Sequence, residues 1–346
     1  MVKKLKKLLL YSTISLLLVL GFLPIVHAHS PISGEGDSPA TALEIQDPTK
    51  SWAVYSELYG PEDVKYYFFN IEGGQNIYIS LFIPPNAKED FTPKILLFGP
   101  GLPEDTDVPA FIDRPDTEGA LDLEYYETPD EYFEPFTPSV IVNLGELYIS
   151  APETGKYYLV VYSENAEGSF GFALGRRESF TAAEIFMLPL SILEIYMWEG
   201  QVLFLVLLPL IITYIVGFYL AWRHQRNKDS PGNAFEFVLL AGGITLIGTA
   251  ANLSLQVILK ALIHFSPEVF VSLIFILVPS LIGVKVISVG LKHGVPVSKA
   301  RRVSFIIYGL IAMFLWTGLF IGPFLLIAAA FIPHHAISET KPQASA

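Results

Sequence analysis

The densest chemistry in the sequence is a run of carboxylates. Residues 102–135 hold twelve of them, from Glu104 to Glu134, against a single base, Arg114. Crowded carboxylates repel one another, and a hard cation such as Ca²⁺, which takes about six to eight oxygen ligands, would relieve the repulsion. Asp105, Asp107, Asp113, Asp116, Glu118 and Asp122 are the candidate ligands. No EF-hand spacing orders them, so the competing expectation is a solvated acidic loop with no cofactor. Tyr125, Tyr126, Tyr132, Phe133 and Phe136 interleave with or follow these acids. Aromatic rings beside carboxylates either build a platform for sugars or basic peptides or pin the loop to the domain beneath, and pinning is the plainer expectation.

A second constellation lies in an apolar segment. Thr245, Thr249, Asn252, Gln256 and Lys260 recur at spacings of four, three, four and four. At about 100° per residue they share a stripe about 80° wide on one helix face. In lipid such a stripe must face water or other helices. It would line a conduction path, or it would supply interhelical hydrogen bonds worth about 1 kcal/mol each.

Catalytic patterns are scarce. The sequence has no His-Glu-x-x-His, no Walker loop, no Gly-x-Ser-x-Gly elbow and no cysteine. A carboxylate pair of the glycosidase kind is the one enzymatic arrangement left open, and nothing singles out its members. A non-enzymatic role is expected.

The elements that must carry these residues fall into two regions. Segments 52–59, 64–71, 76–83, 94–98, 140–150, 156–163 and 169–174 are rich in Tyr, Phe, Ile and Val. Ile77, Ile79, Leu81 and Ile83 alternate with the period of two expected of a half-buried strand. Turn chemistry separates them: Gly60-Pro61-Glu62-Asp63, Glu72-Gly73-Gly74 and Glu153-Thr154-Gly155. Short strands with tight turns predict an all-β sandwich, jelly-roll-like, over residues 29–178.

Asp63-Val64-Lys65-Tyr66-Tyr67-Phe68-Phe69, the Gly-Gly turn and Ile77-Tyr78-Ile79-Ser80-Leu81 resemble the pre-peptidase C-terminal (PPC) type of β-sandwich. So do residues 93–99, the stretch from Pro152 to Tyr162 and the stretch from Gly168 to Leu174. The resemblance spans about a third of the chain, and the acidic insertion at 102–135 departs from it. It implies a non-catalytic accessory module of an exported protein, with a binding or structural role, and it brings no catalytic residues.

Charge is partitioned along the chain. The first 28 residues carry +4, residues 29–198 carry −21, and residues 199–346 carry +5, for a net charge of −12. Lys3, Lys4, Lys6 and Lys7 before an apolar run, ending in Val26-His27-Ala28, predict a cleaved signal peptide at 1–28. An acidic outer domain argues against nucleic acid as a partner. Residues 179–198 read as a segment lying on the membrane face. Residues 199–334 read as an all-α four-helix transmembrane bundle with spans near 201–222, 235–262, 269–291 and 303–332. Arg223, Arg226 and Lys228 follow the first span, and Lys292, Lys299, Arg301 and Arg302 follow the third. The positive-inside rule then puts both basic loops in the cytoplasm, and the β-domain and a tail at 335–346 outside. The expected protein is a multi-pass envelope protein in the lipid bilayer whose outer domain binds a ligand, a cation or another membrane protein. The alternative is a transporter or channel subunit with an acidic cap that gathers cations.

Overall fold

The alternating apolar residues become strand register in a computed structural model that describes residues 30–32, 34–117, 119–226, 233–292 and 297–333. The expected signal peptide, Glu118 and the tail at 335–346 lie outside the described residues. The strands are β1 (Ser30–Ile32), β2 (Leu43–Glu44), β3 (Trp52–Leu58), β4 (Val64–Ile71), β5 (Asn76–Ile83), β6 (Lys94–Gly99), β7 (Gly119–Asp122), β8 (Glu124–Glu134), β9 (Ser139–Ser150), β10 (Gly155–Tyr162) and β11 (Gly168–Leu174). They form two mixed sheets, ordered β1-β3-β11-β5-β9-β8 and β2-β4-β10-β6-β7. Among the named strands of the described residues, the β1–β3 and β2–β4 pairs are parallel and the others antiparallel. Alternate residues of both sheets, among them Ile77, Ile79, Leu81, Phe170 and Phe172 from one and Tyr67, Phe69, Leu97 and Leu159 from the other, share a single core. Such burial, at roughly 25 cal/mol per Å² of apolar surface, is what holds a domain that has no disulfide.

All seven expected strands are present to within one residue at each end. The acidic insertion is where the structure differs from a loop. Its second half forms β7 and β8, and β8 pairs with β9 through a register shift between Tyr125 and Asp130. Most of β8 is exposed, so its sequence shows no apolar alternation and only the pairing reveals it. The first half folds over the outer face of the five-stranded sheet. Val108, Phe111 and Ile112 pack there on Tyr66, Phe98, Val160 and Tyr162, and the Asp113 N–H donates to the Tyr66 hydroxyl at 2.9 Å.

Among the described residues six helices follow: α1 (Ala182–Trp198), α2 (Leu203–Arg226), α3 (Ala234–Ala261), α4 (Val269–Gly290), α5 (Lys299–Phe314) and α6 (Ile321–Phe331), the last two joined through a 3₁₀ turn at Thr317–Phe320. α2, α3 and α4 are long and apolar enough to cross a membrane. Thr181 and Glu184 cap α1 reciprocally. Both ends of α1 are tied to the β-domain. Lys50 Nζ meets Glu184 Oε1 at 2.6 Å, and the Trp198 indole N–H donates to the carbonyls of Ser56 and Phe170.

The fourth expected span is corrected by the structure. Residues 303–332 do not form one crossing helix, because the backbone reverses between α5 and α6. Trp316, Gly318, Leu319 and Phe320 all take left-handed conformations. The Arg302 guanidinium, at the start of α5, donates to the carbonyls of Ala330 and Ile332 at the end of α6. With 16 and 11 residues, about 24 and 17 Å long, neither helix reaches the ~20 residues of a full span. The described chain therefore ends beside Arg302, which also lies over the Phe235 ring at the start of α3. An apolar run of 30 residues looks like a span in composition. Its reversal rests on tertiary contacts that composition does not carry.

Three non-glycine residues in the left-handed region cost about 1–2 kcal/mol each. Packing offsets this: Thr317 Oγ1 donates to the Ala312 carbonyl, and Trp316 stacks on Phe275. Gly318 allows the turn to close on α3, since a Cβ there would sit 2.3 Å from Thr245 Cγ2. Gly318→Val is accordingly expected to lower the thermal unfolding midpoint of the detergent-solubilised chain by several degrees, as about 2–3 kcal/mol of overpacking and strain implies. An unchanged midpoint would mean that the turn is not held against α3.

Candidate functional site

Asp105, Asp107, Asp113, Asp116 and Asp122 are exposed on the segment over the outer sheet face and on β7. Partial burial, followed by the charge of Asp107, holds the Asp122 carboxyl above its ordinary value, with Lys94 opposing. Among the described residues no group of three or more His, Asp or Glu side chains is arranged to hold a metal ion. The carboxylates that do converge are Glu35, Asp37 and Asp63, and they surround the buried ammonium of Lys65 at 3.3, 2.7 and 3.6 Å.

Of the interleaved aromatics, Phe133 and Phe136 pack on the helices rather than on the sandwich, and Tyr126 is exposed. Phe133 is fully buried and packs with Val140 against Val257 and Val269 of the helices. Phe136, in the β8–β9 turn, meets Phe275 edge-on at 5.9 Å and Trp316 at 6.4 Å. The Tyr125 hydroxyl accepts from the Ile95 N–H. Ser272 Oγ donates to the Pro135 carbonyl at 2.7 Å, so the turn is inserted between α4 and the α5–α6 tip.

The helical stripe is spent largely on contacts between elements. Lys260 Nζ sits 2.7 Å from Glu199 Oε2, with both side chains buried. The Gln256 and Gln201 amides exchange two hydrogen bonds, of 2.9 and 3.0 Å. Gln201 also donates to Glu199. Thr245 Oγ1 lies 2.7 Å from the Tyr214 hydroxyl of α2. Thr249 bonds back to the Thr245 carbonyl and faces Gly318. Asn252 Oδ1 is buried with no hydrogen-bond partner among the described residues. Burial pushes the Glu199 carboxyl up, while Lys260, Gln201 and the Val140 N–H oppose. Its main-chain carbonyl accepts from Asn86 of the β-domain at 3.0 Å. The sequence reading missed Glu199, Gln201 and Trp198 as partners. Their only signal was two polar residues beside a tryptophan at a span boundary.

Above the α5–α6 tip lies a cavity of about 520 Å³ between the β-domain, α1 and the tip. Its lining is apolar, with Phe136, Ile185, Phe186, Met313, Phe314, Trp316 and Phe320 prominent. Two ionisable groups reach it, Glu134 from the end of β8 and Tyr55 from β3. Glu134 Oε1 accepts from the Phe136 N–H at 3.2 Å. Burial pushes its carboxyl up to about 8; that hydrogen bond opposes the shift and the charge of Glu178 adds to it. Burial also raises the Tyr55 phenol, helped by the charges of Glu134 and Glu199. The Tyr55 ring packs edge-on against Trp198 at 5.1 Å. Glu134 appeared in the sequence as one of twelve acids, and nothing there distinguished it.

No family model matches the sequence, and no curated protein matches it. Among solved structures, the β-domain is similar to the pre-peptidase C-terminal domain of a Bacillus anthracis collagenase, at 17% identity over 38% of this chain and 91% of that one, with a TM-score of 0.22.

Proposed function

We propose that the protein is a non-enzymatic envelope protein, set in the cell membrane by its helices, whose outer β-sandwich binds an extracellular ligand or partner protein. The observation that carries this reading is the junction. Trp198 is wedged against the sheet, Phe136 is inserted between helices, and Glu199 is paired with Lys260. A domain that needed only tethering would require a linker. This one is fixed in orientation on a helical base, which suits a protein that presents one surface. The positive-inside rule supports placing the end that bears Arg223, Arg226, Lys299, Arg301 and Arg302 in the cytoplasm, with the β-domain opposite.

The alternative is a transport subunit, and the unpartnered Asn252 Oδ1 is the feature that favours it. Liposomes containing the purified full-length chain separate the two. The anchoring reading expects K⁺ and Ca²⁺ flux equal to that of empty vesicles, and expects Asn252→Leu to change stability by no more than about 1–2 kcal/mol. Flux above background that is abolished by Asn252→Leu would overturn it.

A further inference from the structure

The reversal between α5 and α6 has a geometric consequence for the bilayer. Thr245, which touches Gly318, is the twelfth of 28 residues in α3, so the tip reverses partway along the ~42 Å of that helix. The column above the tip is left without α5 or α6. The 520 Å³ cavity occupies that column, roofed by the β8–β9 turn and walled by α1. Ile185, Phe186, Leu310 and Phe314 in its wall are all exposed. They continue the apolar surface of the spans, so the cavity opens sideways onto acyl chains rather than toward water.

The cavity is not uniformly apolar, and its polar end identifies the occupant. Glu134 faces an oily space, and among the described residues no Lys, Arg or His forms an ion pair with it. Glu178 adds further negative potential. The Glu134 carboxyl is neutral in the empty cavity; an anionic phosphate or carboxylate head would keep it so, and an alcohol would add a hydrogen bond but no charge. An ammonium would favour loss of the Glu134 proton and then pair with the carboxylate beside a largely apolar lining, where Coulombic attraction is strong. The volume falls within the range of small-ligand pockets, about 300–1,000 Å³, and suits one alkyl chain.

We propose that this cavity binds a single-chain amphiphile with an ammonium head, entering from the leaflet on the β-domain side. The chain lies between α1 and the α5–α6 tip. The head rests on Glu134, with the Tyr55 hydroxyl lining the same end. This goes beyond the anchoring function, which would stand with the cavity filled by any lipid chain.

Trp316 lines the cavity and reports on it. The full-length chain in nanodiscs would be titrated with 9,10-dibromooctadecylamine, and with the matching alcohol and carboxylic acid. The part of the emission that is missing in Trp316→Phe isolates the cavity signal. Saturable quenching by the amine is expected, at least about tenfold tighter than by the acid or alcohol, with that preference lost in Glu134→Gln. Equal quenching by all three probes would overturn the proposal, as would no quenching of Trp316. If Glu134→Gln does not fold, the comparison of the three heads on the unaltered chain decides.

Discussion

Lys260→Met is expected to destabilise the protein by about 3–5 kcal/mol, because it leaves the Glu199 carboxylate buried without its cation. The side chains of the pair are only 8% and 0% exposed. Removing one member of a buried pair costs much more than the pair contributes, since the desolvated partner remains. Removing both reverses the logic. A Glu199→Met, Lys260→Met double variant is expected to recover most of the loss, because two apolar side chains need no compensation in that site. Thermal unfolding of the solubilised chain measures both. A single variant within a degree or two of the unaltered protein would mean that water reaches the pair and that the junction is loose. A double variant as unstable as the single would mean that the pair also sets the path between α1 and α2.

Glu134→Gln is expected to act in the opposite direction, by an amount that grows as pH rises above 4.5. In the folded protein this carboxyl holds its proton up to about pH 8, whereas its ordinary value is 4.5. Between those values the folded state binds one proton more than the unfolded state. Stability therefore falls as pH rises, by at most about 1.4 kcal/mol per unit. The carboxyl borders a cavity and is partly solvated, so the whole effect is on the order of 2 kcal/mol rather than the full product. Gln carries no charge at any pH. The variant should match the unaltered protein near pH 4.5 and exceed it by that amount near pH 8.5. Parallel stability curves across this range would show that Glu134 ionises freely.

The sequence revealed most of the fold where one physical signal dominated. Ile77, Ile79 and Leu81 alternate because their face of β5 packs in the core shared by both sheets, and they mark that strand correctly. β8 escaped because it is an edge strand exposed along most of its length, and pairing with β9 rather than burial defines it. The α5–α6 reversal escaped because Trp316, Leu319 and Phe320 are ordinary residues for a span. Their left-handed backbone is imposed by contacts with α3, α4 and α1. The stripe from Thr245 to Lys260 was visible from spacing alone. Its partners were not, since Glu199 and Gln201 lie more than fifty residues from Gln256 and Lys260 and carry no periodic signal. Among the described acids of the insertion, Glu134 is set apart from the rest by depth. Spacing does not encode depth.

The last apolar segment enters and returns, so that both of its ends lie opposite the β-domain. The chain has no cysteine, so single cysteines can be placed without a background. Asp90→Cys lies on the β-domain, Lys299→Cys opens α5, and Pro333→Cys follows α6; all three positions are exposed. With a membrane-impermeant maleimide on intact cells, Asp90→Cys should label at once. Lys299→Cys and Pro333→Cys should both label only after the membrane is opened. Labelling of Pro333→Cys on intact cells, with Lys299→Cys still protected, would restore a full crossing and contradict the account.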